Sequence, residues 1–461
     1  MTARSLIVCI VLACPALALG DRVDDWIRRE MKARRLPGVS VAVVHKGKMA
    51  KMAGYGVADL EHRVPATADT VYELASVTKP FTAMAAMLLV QDGRVGLDDP
   101  IRNHLDGLPE AWTGVTIRHL LSHTPGIKSY TSLPEFLLTP RRDYAPQELV
   151  KLAAAAPVEF EPGERWAYCN TGYVLLGLLI EEASGRPWGA FLKERILDPL
   201  GMRATRANDR RAILPGRARG YALSEGRLAN AEYLSTTQPY AAGALVSTVR
   251  DLARWDDALS RGRLLPRAVL REMWTPVRLR GGMEAGYGLG WSVERVKGRR
   301  RVGHGGGILG FSTQIDRWID DALTVIVLTN LEGGGAERLA RGIAGLYVPA
   351  LAEAPARPTP DGDPKTTAAH RKALLALIAE SPEGLPLTPQ FRAFLTPEVL
   401  KQGAGPLRAL GELRAFQVLN RQPENGVTVS RYRARFANGV VRVEVRVGAD
   451  GLIAGLGVRP E

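Results

Sequence analysis

The sequence predicts an α+β protein with two folding units, because strand patterns flank a long helical section and a proline-rich segment precedes a second mixed region. The chain has 461 residues and is 46% hydrophobic, which is enough for more than one core. We therefore expect one large domain over 21–352 and a smaller one over 365–461.

Strand patterns lie at both ends of the larger unit. A helix over 23–35 precedes strands over 39–44 and 49–57, joined by a turn at Lys46-Gly47-Lys48. A mostly helical section then runs to about residue 261, and four further strands are predicted over 286–293, 300–304, 311–318 and 323–329. A helix over 336–347 would close the domain.

The C-terminal region is predicted to be a small α+β accessory domain. Residues 353–364 are rich in proline and should form an extended linker. A helix over 372–380 precedes strands over 427–436, 440–447 and 452–458, with hairpin signals at Asn438-Gly439 and Asp450-Gly451. The sequence leaves dimerisation, substrate gating and substrate binding open as roles for this domain.

The first 20 residues have the features of a secretory signal peptide. Arg4 precedes an apolar stretch over 6–19, and small residues allow cleavage after Ala18. The stretch is too short for a comfortable membrane span of about 20 residues. We expect a periplasmic or secreted protein without an integral membrane span; lipidation at Cys14 is the alternative.

Charge and cysteine content exclude some function classes. The net charge is +13, but the positive residues are scattered among 48 acidic ones, and the densest cluster, over 295–301, is predicted to be a solvated hairpin. No nucleic-acid motif accompanies it, so no nucleic-acid partner is expected. Cys169 is the lone cysteine outside the signal segment, which excludes an intramolecular disulfide and favours a packing role.

The segment Ser76-Val77-Thr78-Lys79 predicts a nucleophile with its base. At the start of a helix, residues three apart share a face, so the Lys79 amine can take the proton of the Ser76 hydroxyl. The apolar stripe that follows indicates a buried helix; it consists of Phe81, Met84, Ala85 and Leu88. A serine N-cap followed by a solvated lysine remains the alternative reading of the segment alone.

Two later motifs supply companions for this pair. In Tyr168-Cys169-Asn170, residues i and i+2 of an extended segment would point a phenol and a carboxamide into one cleft. His304-Gly305-Gly306-Gly307 precedes two predicted strands, and its glycines would let a strand edge approach a ligand closely.

With these motifs, and with the flanking stretches 116–126 and 241–248, the region 23–350 resembles the serine β-lactamase and penicillin-binding-protein superfamily. The resemblance is to its branch of class C β-lactamases, D-alanyl-D-alanine carboxypeptidases and family VIII esterases. It implies a β-lactamase/transpeptidase-like fold, in which helices flank an antiparallel sheet and a mostly helical subdomain is inserted.

The resemblance also implies catalytic roles. Ser76 would attack an acyl carbonyl, and Lys79 would lower the effective pKa of Ser76 and Tyr168. Tyr168 would shuttle protons, while Asn170 would orient Lys79 and the substrate. The backbone N–H groups of Ser76 and Gly307 would form the oxyanion hole.

The third motif departs from the Lys-Thr-Gly that is usual in this superfamily, since His304 and Gly305 replace its lysine and threonine. His304, Gly305 and Gly306 are still expected to contact substrate, but an imidazole is mostly neutral at pH 7 and is a weak clamp for a carboxylate. We therefore expect hydrolysis of small-molecule or peptide esters or amides, D-amino-acyl compounds among them, rather than efficient β-lactam hydrolysis.

Competing functions are less consistent with the sequence. His119 and His123 have zinc-helix spacing, but they lack a metalloprotease glutamate and a third ligand, so no metal or cofactor is expected. The Gly-x-Ser-x-Gly motif of α/β-hydrolases is absent. Aromatic residues could line the cleft or belong to the core; these are Tyr173, Trp188 and Trp291. A catalytically silent binding or scaffolding protein of the cell envelope is the alternative from another class, and the oligomeric state is open.

Overall fold

The computed structural model describes residues 15–352, 357–424 and 427–460, which form two compact units that divide after Ala352. Cys14 and most of the predicted signal segment lie outside the described residues. Within the described ranges, no helix has both the length and the apolar character that crossing a membrane requires.

The first unit begins with a helix and a long hairpin. These elements are α1 (Pro15–Arg34), β1 (Gly38–His45), β2 (Lys48–Asp59) and β3 (Val64–Pro65). The predicted hairpin turn is present, with Lys46 and Gly47 at φ of 53° and 74°. Glycine adopts a positive φ readily because it has no Cβ.

A largely helical section follows, interrupted by short strands. In chain order it contains β4 (Tyr72–Glu73), α2 (Lys79–Gln91), α3 (Ile117–Leu121), α4 (Pro134–Leu137), α5 (Pro146–Ala154), α6 (Asn170–Ser184), α7 (Trp188–Leu192), β5 (Arg206–Ala207), β6 (Tyr221–Ser224), β7 (Arg227–Asn230), α8 (Tyr240–Gly243), β8 (Leu245–Ser247), α9 (Val249–Arg261) and α10 (Arg267–Met273).

The unit closes with four strands and a helix, which are β9 (Ser292–Val296), β10 (Arg299–Ile308), β11 (Phe311–Trp318), β12 (Leu323–Thr329) and α11 (Ala336–Tyr347). They complete an antiparallel sheet of order β3-β2-β1-β12-β11-β10-β9. Early and late strands therefore pair around the helical section, and the predicted β-lactamase/transpeptidase-like architecture is confirmed.

The sheet separates two cores because successive strand residues face opposite sides. Val39, Val41 and Val43 of β1 pack in the core that contains residues of α1 and α11, whereas Ala42 joins the larger core of the helical section. Every residue of β12 is buried, as expected for a central strand covered on both faces.

Two details of the late strands differ from prediction. The strand expected over 286–293 begins only at Ser292, because Gly286 and Gly290 have φ of 66° and 83° and break the extended path. The cluster over 295–301 does form a hairpin, but Arg301 is buried and pairs with Glu294 at 2.5 Å and with Asp316.

The second unit packs three helices with a four-stranded antiparallel sheet. Its elements are α12 (Pro364–Ile378), α13 (Pro389–Phe394), α14 (Pro397–Ala409), β13 (Leu413–Glu424), β14 (Val427–Phe436), β15 (Gly439–Val447) and β16 (Ile453–Pro460). The sequence did not predict β13, whose polar outer face hides its strand pattern. Within this unit, residues 357–363 precede α12 and form neither helix nor strand.

Candidate active site

Ser76 lies in a 3₁₀ helix, Ala75–Thr78, that leads directly into α2 at Lys79. The predicted apolar stripe of α2 is buried in the larger core, which anchors this helix. Ala75, immediately before Ser76, has a φ of 47°, an uncommon conformation for a residue with a Cβ. Ser76 remains partly exposed at this bend, while Lys79 is completely buried.

Lys79 Nζ has three close neighbours: Ser76 Oγ at 3.1 Å, Asn170 Oδ1 at 2.8 Å and the Ala242 carbonyl oxygen at 2.7 Å. Burial holds the pKa of Lys79 well below its usual range. A neutral amine has two N–H donors and one lone pair. The two carbonyl oxygens can accept the N–H groups, which leaves the lone pair for the Ser76 hydroxyl proton.

Asn170 is held from several directions. It is the first residue of α6, and its backbone N–H donates to Ser129 Oγ at 3.1 Å. Its Nδ2 donates to Thr131 Oγ1 at 3.0 Å, which directs Oδ1 toward Lys79. The predicted orientation of Lys79 by Asn170 thus has a structural basis.

Tyr168 covers the same amine. Lys79 Nζ lies 4.8 Å from the centre of the Tyr168 ring, and the Tyr168 hydroxyl is near enough to Ser76 for the two side chains to interact. The residue is 38% exposed, yet desolvation raises the pKa of its hydroxyl well above the usual range. This is the opposite of the predicted lowering by Lys79, because desolvation of the phenolate is the largest influence on the pKa of this hydroxyl.

His123 packs against the Tyr168 segment. It is completely buried, and its Nδ1 accepts a hydrogen bond from the Cys169 N–H at 3.1 Å. Its ring centre lies 4.2 Å from that of Tyr168. The other member of the predicted histidine pair, His119, accepts from the Thr116 N–H at 3.2 Å in the capping box of α3. The two histidines therefore have separate structural contacts.

The third motif lies on β10, but its imidazole is turned inward. His304 is 4% exposed; its Nδ1 donates to the Gly305 carbonyl at 2.6 Å and its Nε2 accepts from the Tyr287 hydroxyl at 2.9 Å. Desolvation lowers the pKa of His304 to about 3, so the ring is neutral as predicted. Both ring nitrogens are already engaged, which leaves the backbone of the glycines as the part of the motif that can meet a substrate.

The glycines bring β10 against the Ser76 segment. A Cβ added to Gly306 would lie 2.3 Å from the Leu74 carbonyl oxygen, and Thr313 Oγ1 donates to the same oxygen at 2.8 Å. β9 pairs with β10 only from Arg299 to Gly303. Beyond that point Gly305 and Gly307 are exposed along the strand edge.

Other candidates from the sequence belong to the core. Cys169 is buried, its Sγ donates to the Ile127 carbonyl at 3.3 Å, and burial raises the pKa of its thiol to about 11. Trp188 and Trp291 are also buried, whereas Tyr173 lies beneath Lys79, with Nζ 5.2 Å from its ring centre. Of these four, Tyr173 alone contacts the site's amine.

Sequence reasoning missed two members of the site. The Ala242 carbonyl is a backbone group, and nothing in its residue type predicts a contact with Lys79. Tyr287 lies in the segment wrongly predicted as a strand, although the alternating glycines of Gly286-Tyr287-Gly288 were a signal of close packing. A Cβ on Gly288 would lie 2.2 Å from the Met273 carbonyl oxygen.

Comparison with known proteins supports one family. Residues 23–348 match the Beta-lactamase family model. The chain is 34% identical over 311 residues to penicillin-binding protein 4* of Bacillus subtilis (strain 168), covering 64% of this chain and 68% of that protein. It is 29% identical over 324 residues to a D-aminopeptidase of Brucella anthropi, covering 68% of this chain and 60% of the relative.

A solved structure agrees with these matches. The D-amino acid amidase from Ochrobactrum anthropi SV3, complexed with D-phenylalanine, aligns with a TM-score of 0.61 and 30% identity, covering 72% of this chain and 98% of that one. The predicted enzyme class, a hydrolase related to β-lactamases and penicillin-binding proteins, is confirmed. This chain belongs to the Beta-lactamase family.

Proposed function

We propose that Ser76 is the nucleophile of an acyl-enzyme hydrolase that acts on short esters and D-amino-acyl amides. The observation that carries the proposal is the 3.1 Å contact between Ser76 Oγ and a buried lysine amine whose N–H groups have other acceptors. A neutral amine in that position is a general base for the hydroxyl.

In the first half-reaction Ser76 Oγ attacks the acyl carbonyl and its proton passes to Lys79. The backbone N–H groups of Ser76 and Gly307 receive the oxyanion; one such donor typically contributes about 10²- to 10³-fold in rate. Tyr168, protonated because its pKa is raised, donates its proton to the leaving nitrogen or oxygen.

The second half-reaction reverses these transfers with water in place of the leaving group. The Tyr168 phenolate, now beside a protonated Lys79, takes a proton from water as the water attacks the acyl-enzyme. Lys79 returns its proton to Ser76 Oγ as the ester bond breaks. The product of this step is a carboxylic acid, and Ser76, Lys79 and Tyr168 return to their original protonation states.

The substrate class follows from the third motif. His304 is neutral and both its nitrogens are engaged, so it offers no charge to a substrate carboxylate. The relatives named D-aminopeptidase and D-amino acid amidase support D-amino-acyl amides as substrates. In this role His304 positions β10, and Gly305 and Gly306 supply the strand edge beside the acyl chain.

The proposal is tested with four substrates: 4-nitrophenyl butyrate, D-alanine 4-nitroanilide, L-alanine 4-nitroanilide and nitrocefin. Wild type is compared with Ser76→Ala and with the control variant Ser224→Ala, which replaces an exposed serine. We expect turnover of the ester and the D-amide, slower nitrocefin hydrolysis, and loss of activity in Ser76→Ala alone. A fluorophosphonate probe should label wild type at Ser76. A folded wild-type protein that neither turns over nor becomes labelled would favour a silent scaffold.

We further propose that the segment 1–20 directs export and that the chain is cleaved after Ala18. Mass spectrometry of the N-terminus after expression in a bacterial host checks this. A mature chain that starts at Leu19 supports export, whereas a lipid-modified Cys14 would support the lipoprotein alternative.

A further inference from the structure

A second cavity lies away from the catalytic motifs, at one end of the central sheet. It has a volume of about 360 Å³ and is bounded by α9, α10, the β1–β2 turn and the β11–β12 connection. None of its lining residues belongs to the Ser76, Tyr168 or His304 motifs. The cavity is therefore separate from the acyl-transfer site.

The charged side chains that line this cavity have a net positive charge. Asp256, Arg267, Arg271 and Arg317 line it, which leaves a net charge of +2. Arg317 Nε donates to Asp256 Oδ1 at 2.7 Å, and Thr324 Oγ1 donates to the same oxygen at 2.8 Å. The lining's single carboxylate is thus already engaged.

Arg317 retains an unused donor despite its burial. The side chain is 5% exposed, and its Nη2 donates to Ser260 Oγ at 2.8 Å. Its Nη1 has no partner in the part of the chain that the structure describes. That nitrogen is itself buried, so Arg317 adds positive charge to the cavity wall rather than a donor that a ligand can reach.

Trp274 packs against the Arg317 guanidinium at the cavity wall. The Arg317 guanidinium carbon lies 4.7 Å from the Trp274 ring centre, and Trp274 Nε1 is also buried without a partner among the described residues. At the rim, Arg267 and Arg271 are exposed, and neither forms an ion pair within the described ranges. Three arginines thus gather positive charge around one cavity.

The rest of the lining is mainly hydrocarbon. Val44, Leu259, Leu270 and Leu323 contribute apolar surface. Ligand sites commonly combine such apolar walls with a few polar groups that fix orientation. We propose that this cavity binds a small organic carboxylate with an apolar body, with the carboxylate toward the exposed Arg267 and Arg271 at the rim and the body against the leucines.

Isothermal titration with sodium hexanoate tests the proposal on the full-length protein, with hexanamide and acetate as comparison ligands. We expect one saturable site for hexanoate and at least tenfold weaker binding of both comparison ligands, which lack the charge or the apolar body. The double variant Arg267→Gln/Arg271→Gln should weaken hexanoate about tenfold, because each exposed charge contributes a few-fold.

Arg227→Gln is the matched control, since it removes an exposed arginine from β7, outside the cavity. It should leave the hexanoate affinity unchanged, as should Ser76→Ala. The variants spare Arg317, whose loss would leave Asp256 without its buried cation. Absence of saturable binding, equal affinity for hexanamide, or an unchanged affinity in the double variant would each overturn the proposal, whatever the outcome at Ser76.

Discussion

At the scale of single residues, the chemistry of the site depends on which ionisable groups burial keeps in their neutral form. Lys79 is buried with two carbonyl oxygens and a hydroxyl as hydrogen-bond partners, so burial favours its neutral form. His304 is neutral for the same reason. In the proposed mechanism the cleft thus provides a base without a fixed cation, which suits acyl transfer to serine better than capture of an anionic substrate.

Tyr168→Phe isolates the contribution of one hydroxyl. The phenyl ring should keep its contacts with Lys79 and His123, while the interaction with Ser76 and the proton proposed for the leaving group are lost. We expect kcat to fall about 10²- to 10⁴-fold with little change in the thermal midpoint. Steady-state kinetics with an amide substrate checks this, and the exposed Tyr233→Phe should keep wild-type turnover. Retained activity in Tyr168→Phe would remove Tyr168 from the mechanism.

His304 should make stability depend on pH. Its pKa is about 3 in the native state and about 6.5 when unfolded, so between these values the unfolded chain binds a proton that the native protein does not. The free energy of unfolding contributed by this group therefore falls as the pH drops, by about 2 kcal/mol from pH 7 to pH 5. Urea unfolding at both pH values should show a smaller drop in His304→Gln. Equal drops in the two proteins would contradict a buried, neutral His304.

The residue types of the site were predictable, but not all of their contacts. Ser76 and Lys79 were identifiable as a candidate pair from their spacing, and Tyr168 and Asn170 from the resemblance of their motif to the family's. The third close neighbour of Lys79, the Ala242 carbonyl, lies 163 residues along the chain, and a backbone oxygen carries no sequence signal. The sequence also could not indicate that His304 faces Tyr287, because its side-chain direction depends on tertiary packing.

At the scale of elements, the site depends on the close approach of β10 to the 3₁₀ helix of Ser76. Thr313 of β11 donates to the Leu74 carbonyl, and Gly306 leaves room for that carbonyl. The strands 311–318 and 323–329 and the helix 336–347 were predictable, since each is a buried or periodic segment with clear ends. The 3₁₀ helix was not, because its bend arises from the positive φ of Ala75.

Gly306→Ala tests this close approach. The added methyl group would lie 2.3 Å from both the Leu74 carbonyl oxygen and Thr313 Oγ1, so the strand must move away from Ser76. We expect a loss of about 1–3 kcal/mol in the free energy of unfolding, together with reduced turnover. Gly307→Ala is the matched control for stability, because no atom lies within 4 Å of its added Cβ. Equal stability of the two variants would contradict the packing argument.

At the scale of the whole molecule, the chain has a complete hydrophobic core in each unit. The two cores of the first unit draw on residues between Val23 and Leu351, and the core of the second draws on residues between Ala373 and Ile453. The proline-rich stretch made the division predictable in outline. It could not predict that β13 would form one edge of the C-terminal sheet, because half of that strand faces solvent.

Separate cores predict separate unfolding transitions. Leu339 of α11 and Leu374 of α12 are both fully buried, each in the core of its own unit, so they form a matched pair. Replacing a buried leucine by alanine typically costs about 2–5 kcal/mol. In differential scanning calorimetry of the full chain, we expect Leu339→Ala to lower the midpoint of one transition and Leu374→Ala that of the other. A single transition that both variants shift equally would show that the units unfold as one cooperative body, and the acyl-transfer site would then depend on the C-terminal core for its stability.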